Sequence, residues 1–128
     1  MGDRSNVVFR NGDDGIGVYA HWGGIVMAEV VADVIARPAF KKRIGDPSYA
    51  TRIGVQSVLE MLGADSSADT GFGLWTMSGS ADDNEYPYIV VDVLDGAVYV
   101  TPDYRAVTAA HRVDPPTREA IEAAMQAR

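Results

Sequence analysis

His21 and Trp22 stand immediately before a glycine pair, Gly23-Gly24, where an alternating strand pattern gives way to a helical one. No other segment has residue types so well suited to holding a ligand. An imidazole both donates and accepts hydrogen bonds, and an indole offers a flat face for stacking. Glycine lets another group come close to the backbone. The first turn of a helix adds unpaired N–H groups and partial positive charge. Together they favour a small anionic or nucleotide-like ligand, with its base on the aromatic ring and its phosphate at the helix start. The competing reading is structural: Trp22 fills the gap between strand and helix, and the glycines make the corner. On the ligand reading, Gly24→Val should obstruct binding while changing little else.

Further groups could complete such a site from neighbouring loops. Arg4 and Arg52 would supply forked donors to a phosphate. Asn84 and Glu85, in the acidic loop Asp82-Asp83-Asn84-Glu85-Tyr86-Pro87, would accept from ligand hydroxyls. The same loop offers oxygen ligands to a cation but lacks the spacing of a calcium loop, so a solvated loop is favoured. In Gly71-Phe72-Gly73-Leu74-Trp75, alternation puts Gly71, Gly73 and Trp75 on one face, which suggests close approach by another backbone, a helix or a ligand.

Catalysis finds little support. The chain has two histidines, His21 and His111, and no cysteine, so thiol chemistry and zinc–thiolate sites are excluded. It contains no G-x-S-x-G, P-loop or H-E-x-x-H motif. No catalytic residue, metal or cofactor is assigned, and a non-enzymatic role is favoured.

The elements that must position these residues follow from periodicity and turn chemistry. Residues 6–10, with Val7, Val8 and Phe9 at the centre, and the alternating residues 16–21 read as strands and should form a hairpin through Asn11-Gly12-Asp13-Asp14-Gly15. Residues 24–36 are rich in β-branched types, yet Ile25, Ala28, Val31 and Ile35 share one helical face, which predicts a helix ended or kinked by Pro38. A second helix over 46–62 has Asp46 as cap, Pro47 in its first turn and Gly63 as its stop. Strands are expected over 71–77, 87–94 and 97–101, the last two joined at Asp95-Gly96. Asp114-Pro115-Pro116-Thr117 introduces a C-terminal helix.

The order β-β-α-α-β-β-β-α predicts a single α+β domain over residues 1–128. It should have an antiparallel sheet of about five strands, with the two central helices on one face. Alternation places Val7, Phe9, Ile16, Val18, Ile89, Val91 and Val93 on the core face. The other face collects Val8, Arg10, Tyr19, His21, Tyr88, Val90 and Asp92, with Tyr99 depending on register. That face is too aromatic for plain solvation. The C-terminal helix, a second subunit or a ligand are three ways to cover it.

The 128 residues carry 11 Lys+Arg against 18 Asp+Glu, a formal charge of -7. Duplex nucleic acid and anionic membranes are therefore disfavoured partners. No apolar run is long enough to span a membrane. The opening residues lack a signal-peptide pattern, and Asn6 stands where N-myristoylation wants serine or threonine. A cytoplasmic protein is expected.

Five segments resemble a family of small uncharacterised proteins of actinobacteria and their phages. They are Gly2-Asp3-Arg4-Ser5-Asn6-Val7, Tyr19-Ala20-His21-Trp22-Gly23-Gly24, Asp46-Pro47-Ser48-Tyr49-Ala50-Thr51-Arg52-Ile53, Thr70-Gly71-Phe72-Gly73 and Asp83-Asn84-Glu85-Tyr86-Pro87. The likeness covers roughly residues 2 to 95, leaves out the helix after Pro116, and brings no activity with it. A phage origin would imply the bacterial host's cytoplasm and a counter-defence role. The leading expectation is then a non-enzymatic small-ligand binder that sequesters nucleotide-like immune signals. The alternative is a protein–protein interaction module, a host-protein inhibitor or a self-associating homodimer, using the aromatic sheet face.

Overall fold

Strand β1 (Ser5–Asn11) turns at Gly12, where φ is +62°, and returns as β2 (Asp14–Ala20) in the expected hairpin. The computed structural model describes residues 3–79 and 84–127 of the chain. Helix α1 (Val26–Ala36) begins two residues later than 24–36, because Gly24 is left-handed, with φ +51°. Met27, Ala28, Val30, Val31 and Val34 form its buried face. Pro38 ends α1 and also opens a short helix not expected from sequence, α2 (Pro38–Arg43). Proline suits a first turn, where its missing N–H would have no partner. Phe40 anchors α2 edge-on to Phe9, with ring centroids 6.0 Å apart.

Helix α3 (Pro47–Met61) matches its expected span closely. Asp46 occupies the cap position, but its side chain makes no capping bond and lies 4.0 Å from Arg43 instead. At the other end Gly63 has φ +77°, Ala64 N–H donates to Leu59 O at 2.9 Å, and Gly63 N–H donates to Glu60 O at 3.1 Å. This paired closure is what a glycine stop provides.

Strands β3 (Phe72–Thr76), β4 (Tyr88–Asp92) and β5 (Val98–Thr101) complete a five-stranded sheet in the order β3-β2-β1-β4-β5. The α+β class therefore holds, and β1–β2, β2–β3 and β4–β5 are antiparallel as expected. The β1–β4 pair is parallel, a departure from an all-antiparallel sheet. The long excursion through three helices and β3 lets β4 enter beside β1 in the same direction.

Both predicted faces are realised. Val7, Phe9, Val18, Ile89, Val91 and Val93 pack under the helices, while Ile16 shares their face half-buried. Helix α4 (Arg118–Gln126), capped by Thr117, joins that same layer against α1, with Ile121 and Met125 fully buried. It therefore does not cover the aromatic face. The cover is the irregular segment 102–112, whose Tyr104 packs with Val8, Trp75, Met77 and Val90 in a second core flanked by Tyr19, Tyr88, Tyr99 and Val107.

Gly54 marks the closest approach of α3 to the sheet: a Cβ there would lie 2.4 Å from the Phe9 ring. Alanine normally gains about 1 kcal/mol over glycine inside a helix. Overpacking against a fully buried ring costs about 1–3 kcal/mol, so the clash should win. Gly54→Ala should lower stability in urea unfolding by about 1 kcal/mol; a gain would show that Phe9 has room to move.

Candidate functional site

The corner after β2 is built by the chain start. Asp3 N–H donates to His21 O at 2.9 Å, and Gly24 N–H donates to Asp3 O at 2.7 Å. Gly23 is buried, where a Cβ would lie 2.7 Å from Ser5 Oγ and 2.8 Å from the Ala20 methyl. At Gly24 a Cβ would lie 2.0 Å from an Asp3 carboxylate oxygen. The helix start expected to receive a phosphate thus already faces a carboxylate, and an incoming anion would meet like charge. Gly24→Val is not the clean binding probe expected from sequence, because both the left-handed backbone and Asp3 exclude its side chain.

His21 and Trp22 do lie together, in an edge-on pair with centroids 4.4 Å apart. The Tyr19 hydroxyl is hydrogen-bonded to His21 Nδ1 at 2.6 Å. Trp22 is 71% exposed, so it does not fill a gap, although its ring edge stands about 3.6 Å from where a Gly71 Cβ would lie. Next to this corner, Arg4 and Glu85 are engaged with each other. Their side chains form a 3.3 Å ion pair, and Glu85 N–H donates to Arg4 O at 3.0 Å. Asn84 carries a buried amide that has no hydrogen-bond partner among the described residues. Asp82 and Asp83 lie outside the described residues. Arg52 is not part of this group: it is exposed on α3 and donates to Gln56 at 3.1 Å.

The aromatic face is packed over rather than open. Trp75 lies over Gly17, where a Cβ would come within 1.9 Å of the indole, and donates its N–H to the buried Asn6 Oδ1 at 2.9 Å. Tyr104 closes over it, with centroids 4.7 Å from Trp75 and 5.0 Å from Tyr88. Arg10 is held by Asp92 at 3.0 Å and stacks over Tyr99.

An accessible groove lies elsewhere, between α3 and β3. This groove of about 600 Å³ is walled by Val55 and Leu59 on the helix and by Phe72 and Leu74 on the strand. Arg52, Gln56 and Glu60 line its helical rim. One end is closed by the 64–68 loop, where the Ser67 hydroxyl and N–H hydrogen-bond the Asp65 carboxylate and hold its pKa below the usual range.

The groove adjoins an unpaired strand edge. His21 N–H donates to Gly71 O and Met77 N–H donates to Gly15 O, so residues 71, 73, 75 and 77 turn their backbone toward β2. Hydrogen-bonded pairs alternate along an antiparallel ladder, which leaves Phe72 and Leu74 with N–H and C=O directed outward. Among the described residues, those groups have no partner. Leu74 is 60% exposed. The opposite edge differs, since β5 is capped where Val113 N–H donates to Val98 O at 2.8 Å and Arg112 bridges Tyr99. The glycines at 71 and 73 single out the Gly71/Gly73/Trp75 face of this strand in the sequence, whereas the open groove lies on the Phe72/Leu74 face. The available signal was a strand with neither charge nor proline, the devices that usually blunt an edge.

No family model, curated protein or solved structure matches this chain. Function must therefore be read from the geometry. Among the described residues, no group of three or more His, Cys, Asp or Glu could hold a metal. The groove offers backbone donors and acceptors, apolar walls and a charged rim, which is equipment for recognition.

Gly24→Ala should destabilise the protein by about 1–3 kcal/mol, combining left-handed strain with contact against Asp3. A double-mutant cycle with Asp3→Ala, followed by chemical denaturation, separates the two contributions. Partial recovery is expected; a coupling of zero would show that the carboxylate simply swings away.

Proposed function

We propose that this chain is a non-enzymatic protein-binding module that receives an extended segment by strand addition at β3. The supporting observation is the conjunction at one edge: outward backbone groups of Phe72 and Leu74 without partners, beside an apolar groove. In strand addition, main-chain hydrogen bonds provide affinity and a neighbouring pocket for alternate side chains provides selectivity. A bound strand would place every second side chain over Val55, Leu59 and Leu74. The interaction class thus agrees with the alternative drawn from sequence, but its surface moves from the aromatic sheet face to the β3 edge. A nucleotide-like ligand at Gly23-Gly24 is the weaker reading, because the Asp3 carboxylate opposes a phosphate there.

The test is a random-peptide display selection against the full chain, with binders measured by calorimetry and mapped by amide chemical shifts. Extended peptides with alternating apolar residues should emerge and perturb Phe72, Leu74, Val55 and Leu59. Leu74→Lys should weaken them at least about tenfold, or ~1.4 kcal/mol. Because Leu74 is exposed, its effect on stability should stay within about 0.5 kcal/mol. Failure to select any binder, or binders that map elsewhere and ignore Leu74→Lys, would refute the proposal.

A further inference from the structure

We infer that the occupant of the β3 edge is a second copy of this chain, paired antiparallel across a two-fold axis at Leu74. This rests on the strand-addition reading and specifies its partner. The backbone pattern is self-complementary. With Leu74 on the axis, Leu74 faces Leu74 of the second copy, and Phe72 faces Thr76 of the second copy. All belong to the outward-directed set, so each facing pair can exchange N–H and C=O. The Thr76 carbonyl already accepts from Gly79 N–H at 3.0 Å, and its second lone pair remains for the partner strand. Two five-stranded sheets would become one continuous sheet.

The groove rim carries the same symmetry in charge. Arg52, Gln56 and Glu60 recur every four residues, so they form one stripe along α3, positive at one end and negative at the other. Among the described residues neither Arg52 nor Glu60 is in an ion pair. A two-fold perpendicular to the sheet keeps both α3 helices on the same side and reverses one against the other. Arg52 of each copy then lies toward Glu60 of the other. A foreign strand could use the backbone edge, but nothing in it would require this arrangement of opposite charges. Leu74 of each copy would also enter the shared apolar space between the helices, removing the most exposed apolar side chain of the sheet from water. The net charge of -7 on each copy opposes association, but at physiological salt such repulsion is screened beyond about 8 Å, leaving the short contacts to decide.

The experiment is sedimentation equilibrium of the full chain at physiological salt, from about 1 µM to about 500 µM. A reversible monomer–dimer equilibrium is expected. Leu74→Lys should raise the dissociation constant at least about tenfold, and its melting temperature should equal that of wild type at concentrations where both are monomeric, which confirms its fold. Arg52→Glu and Glu60→Arg should each weaken the dimer, and the double exchange in one chain should restore it. A monomer throughout the range, or a dimer indifferent to Leu74→Lys, overturns the inference. Loss of dimer without rescue by the double exchange overturns the antiparallel register. If the chain stays monomeric while selected peptides still bind wild type but not Leu74→Lys, strand addition stands and the second copy does not. If neither occurs, both readings fall.

Discussion

Burial of β1 on both faces is the constraint on which the rest of the structure depends. Val7 and Phe9 point into the helical layer and Val8 into the opposite core, and all are essentially inaccessible to water. A strand apolar on both sides needs neighbours on both edges and a cover on both faces. The hairpin supplies one edge through β2, and the parallel partner β4 supplies the other. The helices cover one face. The second cover has to come from what remains of the chain, and segment 102–112 provides it with a few large side chains rather than a regular element.

That thin cover explains how the polar groups of the aromatic face are arranged. Tyr104 alone cannot exclude water from a whole sheet face, so the strands contribute their own bulk through Trp75, Tyr88 and Tyr99. An indole buried in this way needs an acceptor, and Asn6 provides one from the neighbouring sheet centre. Gly17 leaves the space in which the indole can lie flat against β2. Farther along, the Arg10–Asp92 pair takes over where the aromatic cover thins. A face that looks like a binding surface by composition is therefore consumed in holding the sheet together.

Local signals in the sequence were readable because they are local. Pro47 and Gly63 bracket α3, Gly12 and Gly96 mark hairpin turns, and period-two alternation sorted the two faces of β1, β2 and β4. Strand neighbours were not readable, since Val7 looks the same beside a parallel or an antiparallel partner. The Asp3 carboxylate at Gly24 was hidden for the same reason: twenty-one positions separate them, and no periodicity connects the two. Tyr104 and Val107 sit in an irregular segment where isolated apolar residues make no pattern. Chemistry alone links Arg52 to a phosphate at the Gly-Gly corner, whereas α3 carries it to the groove rim.

The two sheet edges show the same economy of chain. After β5 the chain turns back, and Arg112 and Val113 close that edge at almost no extra length. No described segment returns along β3. The loop after Gly63 reaches only the end of the groove, held there by Asp65 and Ser67. An uncovered edge is normally made unattractive by lysine, proline or a bulge, because its free backbone groups will pair with any strand that fits. Phe72–Thr76 has no lysine or proline and keeps unbroken register with β2. Leaving Leu74 exposed there keeps apolar surface in water that a single inward turn of chain would have buried. An edge left both apolar and unblunted, beside an open groove and in a fold that bridges its other edge, is a surface fit to be completed from outside the chain.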